Sequence, residues 1–289
     1  MSQPNPFPQV GTPSARRILP VGYDRELIEI RELITQNVGR QPILINLIGE
    51  FGQGKTTIIE YLMDMLSKSE AEGGWGNLTI VEKDLTGIPD LEMMLSEANR
   101  EYEESTRGIL LILDEGQRIV DDEISKRMDE GAVELTKAQE EFLNKLRDFT
   151  DGRIEGLDIQ KFVICFAIHP ETNYLFFKGS GRLDVSERTR TKTFNLRGVD
   201  YYSAYEIIKR YLETEGYLLD DIFDESVIYS LFTLLSWIEE QSTGSAKRSG
   251  RTLVQVFFNL FELTRNFGRK ISQEDIKRIL ADKNPELRF

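Results

Sequence analysis

Residues 45–62 read INLIGEFGQGKTTIIEYL. An apolar run enters a stretch holding Gly49, Gly52 and Gly54, and Lys55, Thr56 and Thr57 lead from it into a helical pattern. GEFGQGKT (49–56) fits the spacing G-x-x-x-x-G-K-[ST], with a strand expected before it and a helix after it. Glycines let the backbone turn through torsions that other residues avoid, bringing amide N–H groups close to phosphate oxygens. The helix that follows adds its positive N-terminal end. Lys55 supplies a mobile charge for the outer phosphates. The Thr56 hydroxyl suits Mg²⁺, and Thr57 lies one position deeper, near the inner phosphates. The plain alternative is a glycine-rich turn with an incidental lysine. The flanking strand and helix favour a loop in which Gly49, Glu50, Phe51, Gly52, Gln53, Gly54, Lys55, Thr56 and Thr57 hold a nucleotide.

Working outward, PILINLI (42–48), LTIVEK (78–83), GILLILDE (108–115), KFVICFAI (161–168) and TKTFNL (191–196) read as strands. A helical pattern at 24–39 precedes the first strand, and helical patterns at 56–72, 89–104 and 121–150 separate the first four. Continuously apolar strands alternating with helices imply a parallel sheet covered on both faces. After Gly198 come four helical segments without a convincing strand, the last opening with the capping pair Ser272 and Asp275. The expected organisation is an arm at 1–17, flexible or wrapping, an α/β domain at 18–197 and an all-helical domain at 198–289. The fold class is α/β, a three-layer sandwich around a mostly parallel five-stranded sheet, followed by an all-helical domain.

The chain has 289 residues, 40% apolar and 29% charged, which is ordinary globular composition. The start carries four prolines and lacks the apolar core of a signal peptide. No apolar run reaches the length that spans a bilayer. Cys165, the one cysteine, lies in an apolar strand and reads as a core residue. A reducing, cytoplasmic setting is expected. Net charge is −13, from 36 basic and 49 acidic residues, which disfavours a surface that coats nucleic acid all over. The balance is uneven: residues 178–192 hold five bases and two acids, and residues 121–141 three bases and eight acids.

LLILDEG (110–116) supplies two acids at the end of the third strand. Hydrolysis of a nucleotide needs a carboxylate for the Mg²⁺ shell and an orienter for the attacking water. Asp114 suits the first role and Glu115 the second. An Asp-Glu pair that merely starts a helix is the alternative.

With the loop, the acid pair and the trailing helices in place, the chain resembles AAA+ ATPases of the initiator-type clade, the origin-recognition ATPases and the ATPase regulators of transposition. ILPVGYDRELIEI resembles that clade's opening segment, DEGQRI the acid motif of the transposition regulators, and GRKISQEDIKRIL the last lid helix of the origin-binding members. The resemblance implies ATP and Mg²⁺ as ligands and a polar sensor after the fourth strand. FAIHPETN offers His169, with Thr172 and Asn173 as alternatives, and His169 as a structural strand-end residue is the plain reading. It also implies an arginine reaching the neighbouring subunit's γ-phosphate, with Arg188 favoured over Arg182 and Arg190. A lid arginine is implied at Arg251, with Arg248 as runner-up.

The implied output is a homo-oligomer, ring or filament, assembled with ATP. It would act on double-stranded DNA and recruit a partner such as a transposase or nuclease. An ATPase regulator inside a protein complex, without DNA, is the alternative. An unfolding motor ranks lowest, because DLTGIPDLE (84–92) lacks the aromatic pore loop such motors carry. No membrane partner is expected. Trp75 is read as pinning a loop, and Phe257, Phe258, Phe261 and Trp237 as core of the helical domain.

Overall fold

The computed structural model describes residues 5–7, 20–50, 52–85, 87–119, 135–174, 177, 191–223, 225–243, 250–264 and 270–283. The chain divides into two compact units. One comprises 23–50 and 58–196; the other comprises 1–22, 51–57 and 197–289.

In the first unit the elements run α1 (Asp24–Asn37), β1 (Ile43–Ile48), α2 (Lys55–Ser67, entering this unit at Ile58), β2 (Leu78–Asp84), α3 (Leu91–Arg100), β3 (Gly108–Asp114), α4 (Lys137–Asp151), β4 (Phe162–Ile168) and β5 (Thr191–Asn195). The strands form one sheet in the order β2-β3-β4-β1-β5, parallel at every pairing. The α/β fold with a parallel five-stranded sheet is therefore present as the apolar runs require.

Strand side chains alternate between faces, and each face has its own core. Ile109, Leu111 and Leu113 of β3 pack with Leu91 and Leu95 of α3 and with Phe142, Leu146 and Phe149 of α4. Leu110 and Ile112 join Ile30 and Ile34 of α1 and Ile58, Ile59 and Leu62 of α2 on the other side. Cys165 lies in that second core. Burial pushes its thiol up to about 12, and the charge of Asp114 adds to the shift. Trp75 packs edge-on against Tyr61 at 5.4 Å, pinning the loop after α2.

Helix ends follow local chemistry. Asp90 Oδ1 accepts the Met93 N–H at 3.1 Å and starts α3. Thr136 and Gln139 cap α4 reciprocally, and Gly152, at φ +79°, ends it. Residues 121–134, the acidic part of the expected helical segment, lie outside the described residues.

The second unit contains α5 (Tyr201–Thr214), α6 (Glu225–Thr243), α7 (Gly250–Thr264) and α8 (Gln273–Lys283). Its core includes Ile208, Leu212, Leu231, Val256, Phe257 and Leu260, and Phe258 packs against it. The Trp237 side chain lies outside the described residues. The Ser272–Asp275 capping pair forms: the Ser272 N–H donates to Asp275 Oδ2 at 2.8 Å. The arm expected at 1–17 is tied down where it is described. Phe7 is buried, 5.6 Å from the Phe257 ring and 5.7 Å from Tyr211, and Asn5 Nδ2 donates to Glu262 Oε1 at 2.9 Å. Burial of the Phe7 ring in the helical core offsets part of the cost of ordering this segment.

Candidate functional site

Parallel strands place the carboxyl ends of β1, β3 and β4 along one edge of the first unit's sheet. Ligands of open α/β sheets bind outside such an edge. The ladder of β1 and β4 runs one residue beyond the strands, with the Gly49 N–H donating to the Ile168 carbonyl at 3.2 Å. One step further the contact passes to side chains: His169 Nε2 lies 2.5 Å from Glu50 Oε2. His169 also precedes the helical turn Pro170–Asn173, and its carbonyl accepts the Asn173 N–H at 2.9 Å. Thr172 in that turn is buried.

The loop curls at Gly52 (φ +75°) and Gly54 (φ +84°), two left-handed torsions that a side chain would strain. Such alternation turns successive amides toward one concave side and makes an anion-binding nest. Lys55, Thr56 and Thr57 form the first turn of α2, which carries no acidic residue there. The positive end of the helix dipole is thus not offset by an acid of its own first turn.

Asp114 closes β3, and its Oδ1 accepts the Glu115 N–H at 2.7 Å. Glu115 itself sits at φ +58°, a conformation costing about 1–2 kcal/mol for a residue with a Cβ. Three contacts hold the turn that follows. A Cβ on Gly116 would fall 2.4 Å from Ile168 Cγ2, so only glycine fits that close approach to β4. The Arg118 N–H donates to the Glu115 carbonyl at 2.9 Å. Gln139 Nε2 of α4 donates to the Ile119 carbonyl at 3.1 Å. The Arg118 Nε also lies 3.7 Å from Glu115 Oε2. Sequence reasoning missed Arg118 and Gln139. The three-residue spacing of Glu115 and Arg118 was a usable signal; nothing local marks Gln139.

The first unit therefore brings Glu50 and His169 into contact and holds Asp114 and Glu115 at the same sheet edge. Phe51, Arg182, Arg188, Arg190, Arg248 and the side chain of Arg251 lie outside the described residues. Among the described residues no group of three or more histidines, cysteines or acids is arranged to hold a metal alone, and no helix is long and apolar enough to cross a membrane.

No protein-family model and no curated protein matches the sequence. Solved structures do. The ORC2 protein of Aeropyrum pernix, solved as ADPNP–ADP complexes, superposes with a TM-score of 0.61 at 14% identity, over 96% of this chain and 71% of that one. The ORC1 protein of the same organism, in complex with DNA, gives 0.55 at 12% identity, over 93% and 67%. Hsp104 of S. cerevisiae, in complex with casein, gives 0.53 at 15% identity, over 92% and 42%. At such identities the likeness is one of fold: this chain has the α/β P-loop fold with helical parts that these ORC proteins and Hsp104 share.

Proposed function

We propose that this chain binds and hydrolyses ATP with Mg²⁺ and assembles with copies of itself when ATP is bound. It works on double-stranded DNA, where it recruits or regulates a partner such as a transposase or nuclease. The observation that carries the proposal is the loop of 49–56, with left-handed Gly52 and Gly54, running into a helix whose first turn is Lys-Thr-Thr. Asp114 and Glu115 at the carboxyl edge of the sheet support it. The amides of the loop and Lys55 hold the phosphates. Thr56 and Asp114 are the residues that would hold Mg²⁺ through their oxygens, and the metal would supply charge neutralisation at the phosphates. Glu115 orients the attacking water. Arg188 of one copy and Arg251 of the lid distinguish ATP from ADP, because the γ-phosphate adds concentrated charge that each can bind. Such an interface is heterologous and closes into a ring or extends as a filament.

The fold shared with ORC2, solved with ADPNP and ADP, and with ORC1, solved on DNA, supports the nucleotide and DNA parts. Calorimetry with ATP, ADP and Mg²⁺ tests the first: heat of binding is expected for the wild type and not for Lys55→Ala. Identical traces for the two proteins would refute it.

A second function is favoured by the net charge of −13 and by the same fold in Hsp104, solved with a protein, casein. In it the ATPase regulates a protein complex without touching DNA. ATP-loaded protein that binds duplex DNA, with affinity falling steeply as salt rises, marks true phosphate contacts. No binding at low salt with ATP and Mg²⁺ selects the protein-complex role.

A further inference from the structure

Helix α7 begins at Gly250, and its first amide has a partner outside the helix. The Gly250 N–H donates to the carbonyl of Gly52 at 3.1 Å. Both residues belong to the second unit, which takes in the loop residues 51–57. The first N–H groups of a helix have no acceptor within it. The Gly250 donor is therefore available to an outside carbonyl, and here that carbonyl belongs to the phosphate loop.

We infer that Gly250 is a positioning residue for this loop: its N–H fixes the orientation of the Gly52–Gln53 peptide, and with it the direction of the Gln53 amide. The inference deepens the nucleotide-binding proposal and rests on it. Among the described residues no peptide bond is cis, and in a planar trans peptide the carbonyl and the following N–H point in opposite directions. Holding Gly52 O against the start of α7 aims the Gln53 N–H to the opposite side of the loop. The anchor matters because Gly52, at φ +75°, has no Cβ to lock its torsions, and glycine crosses between positive and negative φ readily.

The helix that carries Arg251 is thereby joined to the phosphate cradle through backbone alone. Coupling of this kind is reciprocal: a phosphate that engages the Gln53 amide strengthens the Gly250 contact by the factor by which that contact strengthens phosphate binding.

The space around Gly250 agrees. A Cβ there would stand 3.2 Å from Val199 Cγ2 and 3.6 Å from the Gly52 carbonyl oxygen. A side chain would press on the Val199 methyl, so that either Val199 or the start of α7 gives by a few tenths of an ångström. The chain avoids this by placing glycine at the first position of the helix.

The test uses the full chain in four forms: wild type, Gly250→Pro, Gly250→Ala, and Gly250→Ala combined with Val199→Ala. Proline is tolerated in the first turn of a helix but has no N–H to donate. Binding of a fluorescent ADP analogue to the wild type comes first, and its absence would defeat the nucleotide-binding proposal before any variant is compared. Given binding, Gly250→Pro is expected to weaken ADP about threefold to tenfold, the worth of one net hydrogen bond, with KM for ATP rising more than kcat falls. Val199→Ala is expected to restore most of what Gly250→Ala loses. Amide hydrogen exchange is expected to show that ADP protects Gln53 in the wild type and less in Gly250→Pro, while Phe257 and Leu260 stay protected in both as markers of a folded α7. Equal ADP affinity and equal Gln53 protection in the wild type and Gly250→Pro would overturn the inference.

Discussion

Glu50 and His169 meet at 2.5 Å because a single strand register delivers them: Ile48 of β1 pairs with Ile168 of β4, and each chain continues straight into its member of the pair. His169 is the single histidine of the chain. The resemblance assigns the position after β4 to a polar group that senses the γ-phosphate. The geometry gives His169 a task of its own, holding a side chain of the phosphate loop. Both side chains are partly exposed, so the contact is worth about 1 kcal/mol. His169→Ala and Glu50→Ala are each expected to weaken ATP binding about fivefold, and the double variant no more than the worse single one. Calorimetric titration of the four proteins measures this. Fully additive losses would mean that the residues act separately and that His169 reaches the nucleotide by itself.

Glu115 combines a left-handed backbone with the proposed catalytic carboxylate, and substitutions separate the two properties. Glu115→Gln keeps the backbone and removes the charge. Its ATP affinity is expected to stay within about twofold while kcat falls by about 100-fold or more, the range of a lost general base. Glu115→Gly is equally inactive yet more stable to denaturant than Glu115→Ala by about 1 kcal/mol, because glycine accepts φ +58° without strain. Arg118→Ala removes an exposed ion pair and is expected to change kcat by less than about fivefold. Steady-state ATPase assays and urea unfolding check the three outcomes.

The elements and the loop were legible because their causes are local. Four apolar runs and the shorter, mixed TKTFNL became five strands, each within about two residues of its expected span, since β-branched and aliphatic residues between turn signals have little other use. Gly52 and Gly54 announced their torsions by being glycine. The order β2-β3-β4-β1-β5 is written in no single segment, so neither was the meeting of Glu50 with His169. The roles of Gln139 and Gly250 depend on which carbonyl another element presents to them. Phe7 read as part of an arm, flexible or wrapping, and the choice depends on a gap among Tyr211, Phe257 and Phe261 that only the packed helices define. Tyr201 and Tyr202 open α5 side by side, yet Tyr202 is 68% exposed while Tyr201 meets Tyr229 edge-on at 5.4 Å. Neighbouring helical positions face different ways, so the two could not both point inward.

Cys165 offers a pH test. Its thiol is raised to about 12 in the folded chain against an ordinary value of 9.0. A raised value means the folded state holds its proton longer than the unfolded state. The group's stabilising contribution is therefore complete below pH 9 and is lost as pH rises from there toward 12. Two outcomes are expected. A thiol reagent at pH 8 labels the unfolded chain rapidly and the native chain only as fast as it unfolds, and the midpoint of urea unfolding declines as pH climbs beyond about 9. Rapid native labelling at pH 8 would place Cys165 nearer to solvent than the core of β4.

The last test concerns Asn46, in the middle of β1. Its side chain is fully buried, and both Oδ1 and Nδ2 lack hydrogen-bond partners. In the neighbouring strands its register partners are Phe166 of β4 and Thr193 of β5. Thr193 Oγ1 is also buried without a partner. Two polar groups thus share one row of the sheet, beside Phe166 of β4. An unpaired buried group costs about 1–3 kcal/mol, and removing the group rather than its partner should recover part of that. Thr193→Val keeps the shape of the side chain, and Asn46→Val gives β1 a better strand former. Each is expected to stabilise the fold by about 1 kcal/mol in urea unfolding. Because the positions are adjacent, the double variant is expected to gain less than the sum. Loss of stability on either substitution would show that the row is hydrated, with a bound water joining Asn46 to Thr193. The same titrations with ADP present decide whether the pair matters to the loop that β1 supports. An unchanged affinity places its effect in the sheet alone.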